Sequence, residues 1–119
     1  MILILAENPN LANVWARHLE RQKHTVVVTS YEAEAIELIR DHEPKVIVID
    51  LMLKSGSAFS VADYVSYRSP DTKIVFVTRT RFFSDGSLFK HVPNTAAIVQ
   101  ENAPPGDLAE IVAYHGRAS

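Results

Sequence analysis

The sequence predicts an α/β domain: a doubly wound parallel sheet of five strands flanked by helices. Three observations lead there. Five short apolar runs recur along the chain, each run is continuously apolar instead of alternating, and segments of helical periodicity lie between them. Continuous β-branched runs suit strands buried on both faces, as parallel strands are. Strands alternating with helices imply βαβ crossovers.

The strand runs are Ile2-Leu3-Ile4-Leu5, Thr25-Val26-Val27-Val28, Val46-Ile47-Val48-Ile49, Ile74-Val75-Phe76-Val77 and Ala96-Ala97-Ile98-Val99. After the first, Asn8 can cap a helix that Pro9 opens, with Leu11, Val14, Trp15, His18 and Leu19 on one face. Ser30 is placed to cap a second helix carrying Ala35, Ile36 and Ile39. A third shows Ala58, Val61, Ala62 and Val65 at helical spacing. The last follows Pro104-Pro105-Gly106 with Leu108, Ile111, Val112 and His115. Between Arg79 and Pro93 the helical pattern is poor, so a fourth helix there has the weakest support.

At 119 residues the chain fits one domain, residues 1–119, able to bury a core without covalent staples. A net charge of −2 lacks the basic excess of general nucleic-acid or anionic-membrane binders. Having no cysteine, the chain has no disulfide, thiol nucleophile or thiolate metal site. The opening apolar run is too short for a signal peptide or a membrane span, so the cytoplasm is the expected compartment. No glycine-rich phosphate loop or Ser-His-Asp arrangement marks an enzyme.

Doubly wound sheets bind ligands outside the carboxyl ends of their strands. The residues there are Glu7, Asp50, Thr78 and Gln100. An aspartate so placed can act as a nucleophile toward a phosphoryl donor. Such transfer calls for a divalent cation, and magnesium takes oxygen ligands. Glu7 offers a second carboxylate and Thr78 a hydroxyl. Read alone, Asp50 could equally be an ordinary polar residue ending a strand.

The ordered set resembles the CheY-like receiver domains of two-component response regulators, a resemblance that spans essentially the whole chain. It is carried by Ile2-Leu3-Ile4-Leu5-Ala6-Glu7-Asn8-Pro9, by Val46-Ile47-Val48-Ile49-Asp50-Leu51-Met52-Leu53 with Gly56 and Phe59 beyond, by Val75-Phe76-Val77-Thr78, and by the stretch from Ala96 to Leu108. The resemblance implies a flavodoxin-like sheet of strand order 2-1-3-4-5. It implies that Asp50 accepts a phosphoryl group and that Thr78 donates its hydroxyl to it. It also implies magnesium held, weakly, by Glu7, Asp50 and the Met52 backbone carbonyl. A histidine kinase or phosphotransfer protein would be the donor, and a downstream protein the target. The oligomeric state stays open, a homodimer being one of the states allowed.

Five positions depart from the family pattern. Ala6 stands where a second acidic residue is usual, Gln100 where a lysine is, Glu101 where a proline follows it, and Ala97 in place of the aromatic switch residue. Arg79 follows Thr78 where a small residue is preferred. Retained Asp50, Glu7 and Thr78 favour a stand-alone receiver in a phosphorelay. Ala6, Gln100, Ala97 and Arg79 favour a phosphorylation-independent pseudo-receiver serving as an interaction module. Arg79 is either a solvated surface arginine or a replacement for the charge absent at Gln100. Phe82, Phe83, Phe89 and His91 form either a docking patch or packing under an irregular segment. Trp15 reads as core, His18 and His115 as packed histidines, and Glu32, Glu34 and Glu37 as a solvated helix face.

Overall fold

The computed structural model describes residues 1–51, 58–79 and 92–117. Five strands, β1 (Ile2–Leu5), β2 (Val26–Thr29), β3 (Val46–Asp50), β4 (Lys73–Thr78) and β5 (Thr95–Gln100), form one parallel sheet in the order β2-β1-β3-β4-β5. Among the described residues four helices flank it: α1 (Pro9–Arg21), α2 (Glu32–His42), α3 (Ala58–Arg68) and α4 (Pro105–Arg117). The expected strand order and doubly wound fold class are therefore observed. Met52, Gly56, Thr80, Arg81, Phe82, Phe83, Phe89, His91 and any helix between Arg79 and Pro93 lie outside the described residues, apart from Val92.

Alternation along the strands sorts their side chains into two cores. Ile2, Ile4, Val46, Val48, Val75, Val77 and Val99 face Trp15 and Leu19 of α1 and Leu108 and Val112 of α4. Leu3, Leu5, Ile47, Ile49, Ile74 and Phe76 face Ala35 and Ile39 of α2 and Val61 and Val65 of α3. The central strands β1 and β3 are buried along their whole length, which is why their sequences are unbroken apolar runs. Edge strand β2 is half-buried until Thr29.

Two local expectations are corrected. The buried stripe of α1 is Ala12, Trp15, Ala16 and Leu19; Val14 is exposed and His18 only half-buried. The small alanines let the helix lie close to the sheet, so the Trp15 and Leu19 stripe runs through positions 12 and 16, with Leu11 packed partly buried against it as expected, and not through Val14. Asn8 does cap α1, its Oδ1 accepting from the Asn10 and Leu11 amides. The N-cap of α2 is Tyr31, one residue after the expected Ser30, and the Tyr31 side chain makes no cap hydrogen bond. Thr29 Oγ1 takes the Tyr31 amide at 3.2 Å, and this turn carries the chain one residue further before the helix begins.

Between β4 and β5 the register slips by one. Ile74 pairs with Thr95 and Val75 with Ala97, so Ala96 is an extra residue in β5. Nearby, the Asn94 amide group donates to the Thr72 carbonyl at 2.8 Å and accepts from the Ser66 hydroxyl at 2.6 Å. Thr72 in turn donates to the Pro44 carbonyl at 2.6 Å. These bonds tie α3, β4 and β5 together at the end of the sheet opposite Asp50.

Candidate functional site

Each strand delivers its last residue to the carboxyl edge. Asp50 closes β3 and is 6% exposed. The Leu51 amide donates to the Val77 carbonyl at 2.9 Å, extending the β3–β4 ladder one step past Asp50 and fixing its backbone. Thr78 closes β4, is 3% exposed, and stands level with the half-buried Gln100 of β5. The Glu101 amide donates to the Thr78 carbonyl at 2.8 Å, so this ladder too runs on past the site. Glu7, half-buried, lies just beyond β1, the other neighbour of β3.

Alternation decides which side chains share a face. The last paired residues of β1 and β3 are Leu5 and Ile49, so Ala6 and Asp50 come next, in phase with Ile4 and Val48. Ala6 is buried beside the position of the Asp50 carboxylate, and its amide donates to the Thr29 carbonyl at 3.1 Å. Thr78 and Gln100 share the opposite phase, that of Phe76 and Ile98. Arg79 returns to the phase of Val77, the register partner of Asp50.

Arg79 donates from Nε to Glu101 Oε2, an ion pair in which the arginine side chain is 50% and the glutamate 24% exposed. The hydrogen bond and charge of Glu101 hold the Arg79 guanidinium above its ordinary range, and the Asp50 carboxylate adds to the effect. With Leu11 and Asn102 these two side chains line an open cleft of about 300 Å³. Its ion pair joins positions 79 and 101, too far apart in sequence for pairing to be read without the β4–β5 register. The alternation signal alone would have placed Arg79 on the Asp50 side.

The structure thus brings Asp50, Thr78, Glu7 and Gln100 to one edge, on four different segments. Met52, whose carbonyl was expected to complete a cation site, lies outside the described residues. Two carboxylates on adjoining strand ends fit magnesium, which keeps several waters and needs only one or two carboxylates beside a phosphate. Among the described residues no group of three or more His, Asp or Glu side chains gathers as a metal cluster. No described helix is long and apolar enough to cross a membrane.

Residues 2–86 match the family described as response regulator receiver domain. The structure is similar to a signal receiver domain from Vibrio parahaemolyticus, with a TM-score of 0.86 and 18% identity over 98% of this chain and 89% of that one. A CheY-like receiver domain protein from Methanospirillum hungatei superimposes with a TM-score of 0.83 at 16% identity, covering 99% of this chain and 97% of that one. A response regulator from Burkholderia pseudomallei, solved with a phosphorylated aspartic acid, a calcium ion and citrate, gives 0.78 at 21% identity over 98% and 68%. No curated protein matches the chain.

Proposed function

The chain belongs to the response regulator receiver domain family, and on that premise we propose that it accepts a phosphoryl group on Asp50 and signals by contact with another protein. The observation that carries this reading is the position of Asp50: a nearly buried carboxylate at the carboxyl end of the central strand, with the Thr78 hydroxyl ending the next strand. In the transfer, an Asp50 carboxylate oxygen attacks the phosphorus of a phosphohistidine or an acyl phosphate. The bond from phosphorus to the leaving group breaks, and its electron pair goes to that group. Imidazole takes up a proton; a carboxylate leaves as such. Asp50 becomes an acyl phosphate. Thr78 would donate its hydroxyl to a phosphoryl oxygen.

Magnesium would be held by Glu7, Asp50 and the Met52 carbonyl, and when bound it supplies charge neutralisation for the phosphoryl oxygens. The Burkholderia pseudomallei relative, with its phosphorylated aspartic acid and calcium ion, supports this chemistry by likeness. A histidine kinase or phosphotransfer protein is the donor proposed. The second reading, a pseudo-receiver that works unphosphorylated, is favoured by one observation: Ala6 places a buried methyl group where it adjoins Asp50.

Acetyl phosphate with magnesium, followed by intact-mass measurement, tests the first reading. One labile phosphate should form and be absent from Asp50→Asn. A phosphate that persists in that variant overturns Asp50 as the acceptor, and no modification of the wild type leaves the pseudo-receiver.

A further inference from the structure

A phosphoryl group on Asp50 would bring up to about two negative charges to a nearly buried position. Gln100, level with Thr78, is a neutral amide and cannot offset them. Among the described residues, the cation at this edge is Arg79. It follows β4 directly, lies two residues beyond the register partner of Asp50, and shares that partner's phase. At present its guanidinium is engaged by Glu101, half exposed to solvent. Solvent-exposed single ion pairs are weak and easily exchanged. An open cleft lined by Leu11, Arg79, Glu101 and Asn102 gives the side chain space to swing.

Arg79 therefore lies between two carboxylates, one that holds it and one that attracts it from further away. Phosphorylation changes the balance. A guanidinium binds phosphoryl oxygens through paired donors and prefers the higher charge. We propose that Arg79 is the phosphoryl-contacting cation of this domain, held on Glu101 until Asp50 is phosphorylated and then transferred to the phosphoryl oxygens. The proposal rests on the reading that Asp50 is the acceptor. It gives Glu101 a role as competitor: its carboxylate keeps the cation away from the unmodified site and is released when the site is filled.

The test is calorimetric binding of beryllofluoride, with magnesium, to the full chain and to Arg79→Ala, Arg79→Lys, Glu101→Gln and Arg79→Ala combined with Gln100→Lys. Arg79→Ala should weaken binding about tenfold and Arg79→Lys less, since lysine lacks the paired donors. Glu101→Gln should tighten binding severalfold by removing the competitor. Gln100→Lys should restore binding to Arg79→Ala, which a structural defect would not allow. Thermal melts of each variant report folding; should Arg79→Ala fail to fold, the sign of the Glu101→Gln effect decides. Wild-type binding with no change in Arg79→Ala, or weaker binding in Glu101→Gln, overturns the exchange and leaves Asp50 as acceptor. If the wild type takes up no beryllofluoride, the acceptor reading falls and the exchange falls with it.

Discussion

Thr78 and Gln100 stand level across the β4–β5 ladder, and the Glu101 amide closes the ladder on the Thr78 carbonyl at 2.8 Å. A hydroxyl proposed to meet the phosphoryl group is thus paired with an uncharged amide. The strand that would carry a signal toward α4 makes no ionic contact with the site through this position.

The first prediction is a shallow switch. Phosphorylation shifts a two-state equilibrium only as far as the two states differ in holding the phosphate. A charge-assisted contact from β5 would contribute about 1.5–3 kcal/mol to that difference, and Gln100 does not provide it. Amide spectra with beryllofluoride and magnesium should show changes near Asp50, Thr78, Arg79 and Glu101. In Gln100→Lys the changes should extend along β5 into α4. Large wild-type shifts reaching Leu108 would show a working switch and refute the prediction.

Magnesium should bind weakly, in the millimolar range, or about −4 kcal/mol. Ala6→Asp restores a carboxylate next to Asp50 in the same phase, and ligand charge raises affinity. An approximately tenfold tighter dissociation constant is expected by titration. The same carboxylate should destabilise the metal-free protein, because Ala6 is buried and a like charge would adjoin Asp50. Unchanged affinity would mean that the ion sits elsewhere.

The face of α1 can be checked by chemical denaturation. Trp15→Ala removes a buried ring from the core shared with α4 and should cost about 3–5 kcal/mol. Val14→Ala, on the exposed side, should stay within about 0.5 kcal/mol. Similar losses in both would place the buried stripe where the sequence alone suggested.

Two threonine-to-valine changes should differ in effect. Thr72 donates to the Pro44 carbonyl at 2.6 Å, so Thr72→Val strands a buried acceptor and should cost about 1–3 kcal/mol. Thr95 Oγ1 is buried without a hydrogen-bond partner among the described residues. Thr95→Val removes that polar atom at nearly constant shape and should be neutral or stabilising. Melting temperatures that fall in both would show that the Thr95 hydroxyl is satisfied.

The sheet was legible because β1, β3 and β4 are enclosed on both faces, and enclosure writes itself as unbroken Val, Ile and Leu. Asp50, Thr78 and Glu7 could be picked out because each directly follows or ends such a run. Local details were harder. Val14 and Ala12 compete for the same helical stripe, and the preference for an alanine comes from close packing on the sheet, which hydrophobicity does not encode. The Arg79–Glu101 pair depends on the slipped β4–β5 register, and the Ser66–Asn94–Thr72 bonds depend on three segments meeting. Neither is a property of any single segment.

Ala96 gives β5 one residue of slack. Because the register resumes at Ala97 opposite Val75, the strand could lose a single residue ahead of Val99 by straightening and still bring Gln100 to Thr78 and Glu101 to Arg79. Losing a second residue would pull Glu101 back to the level of Thr78 and invert its phase. An insertion would enlarge the irregularity or push the glutamate out of reach. Among descendants of this sequence, length variation in the strand should therefore be one-sided: single shortenings tolerated, everything else confined to the flanking loops.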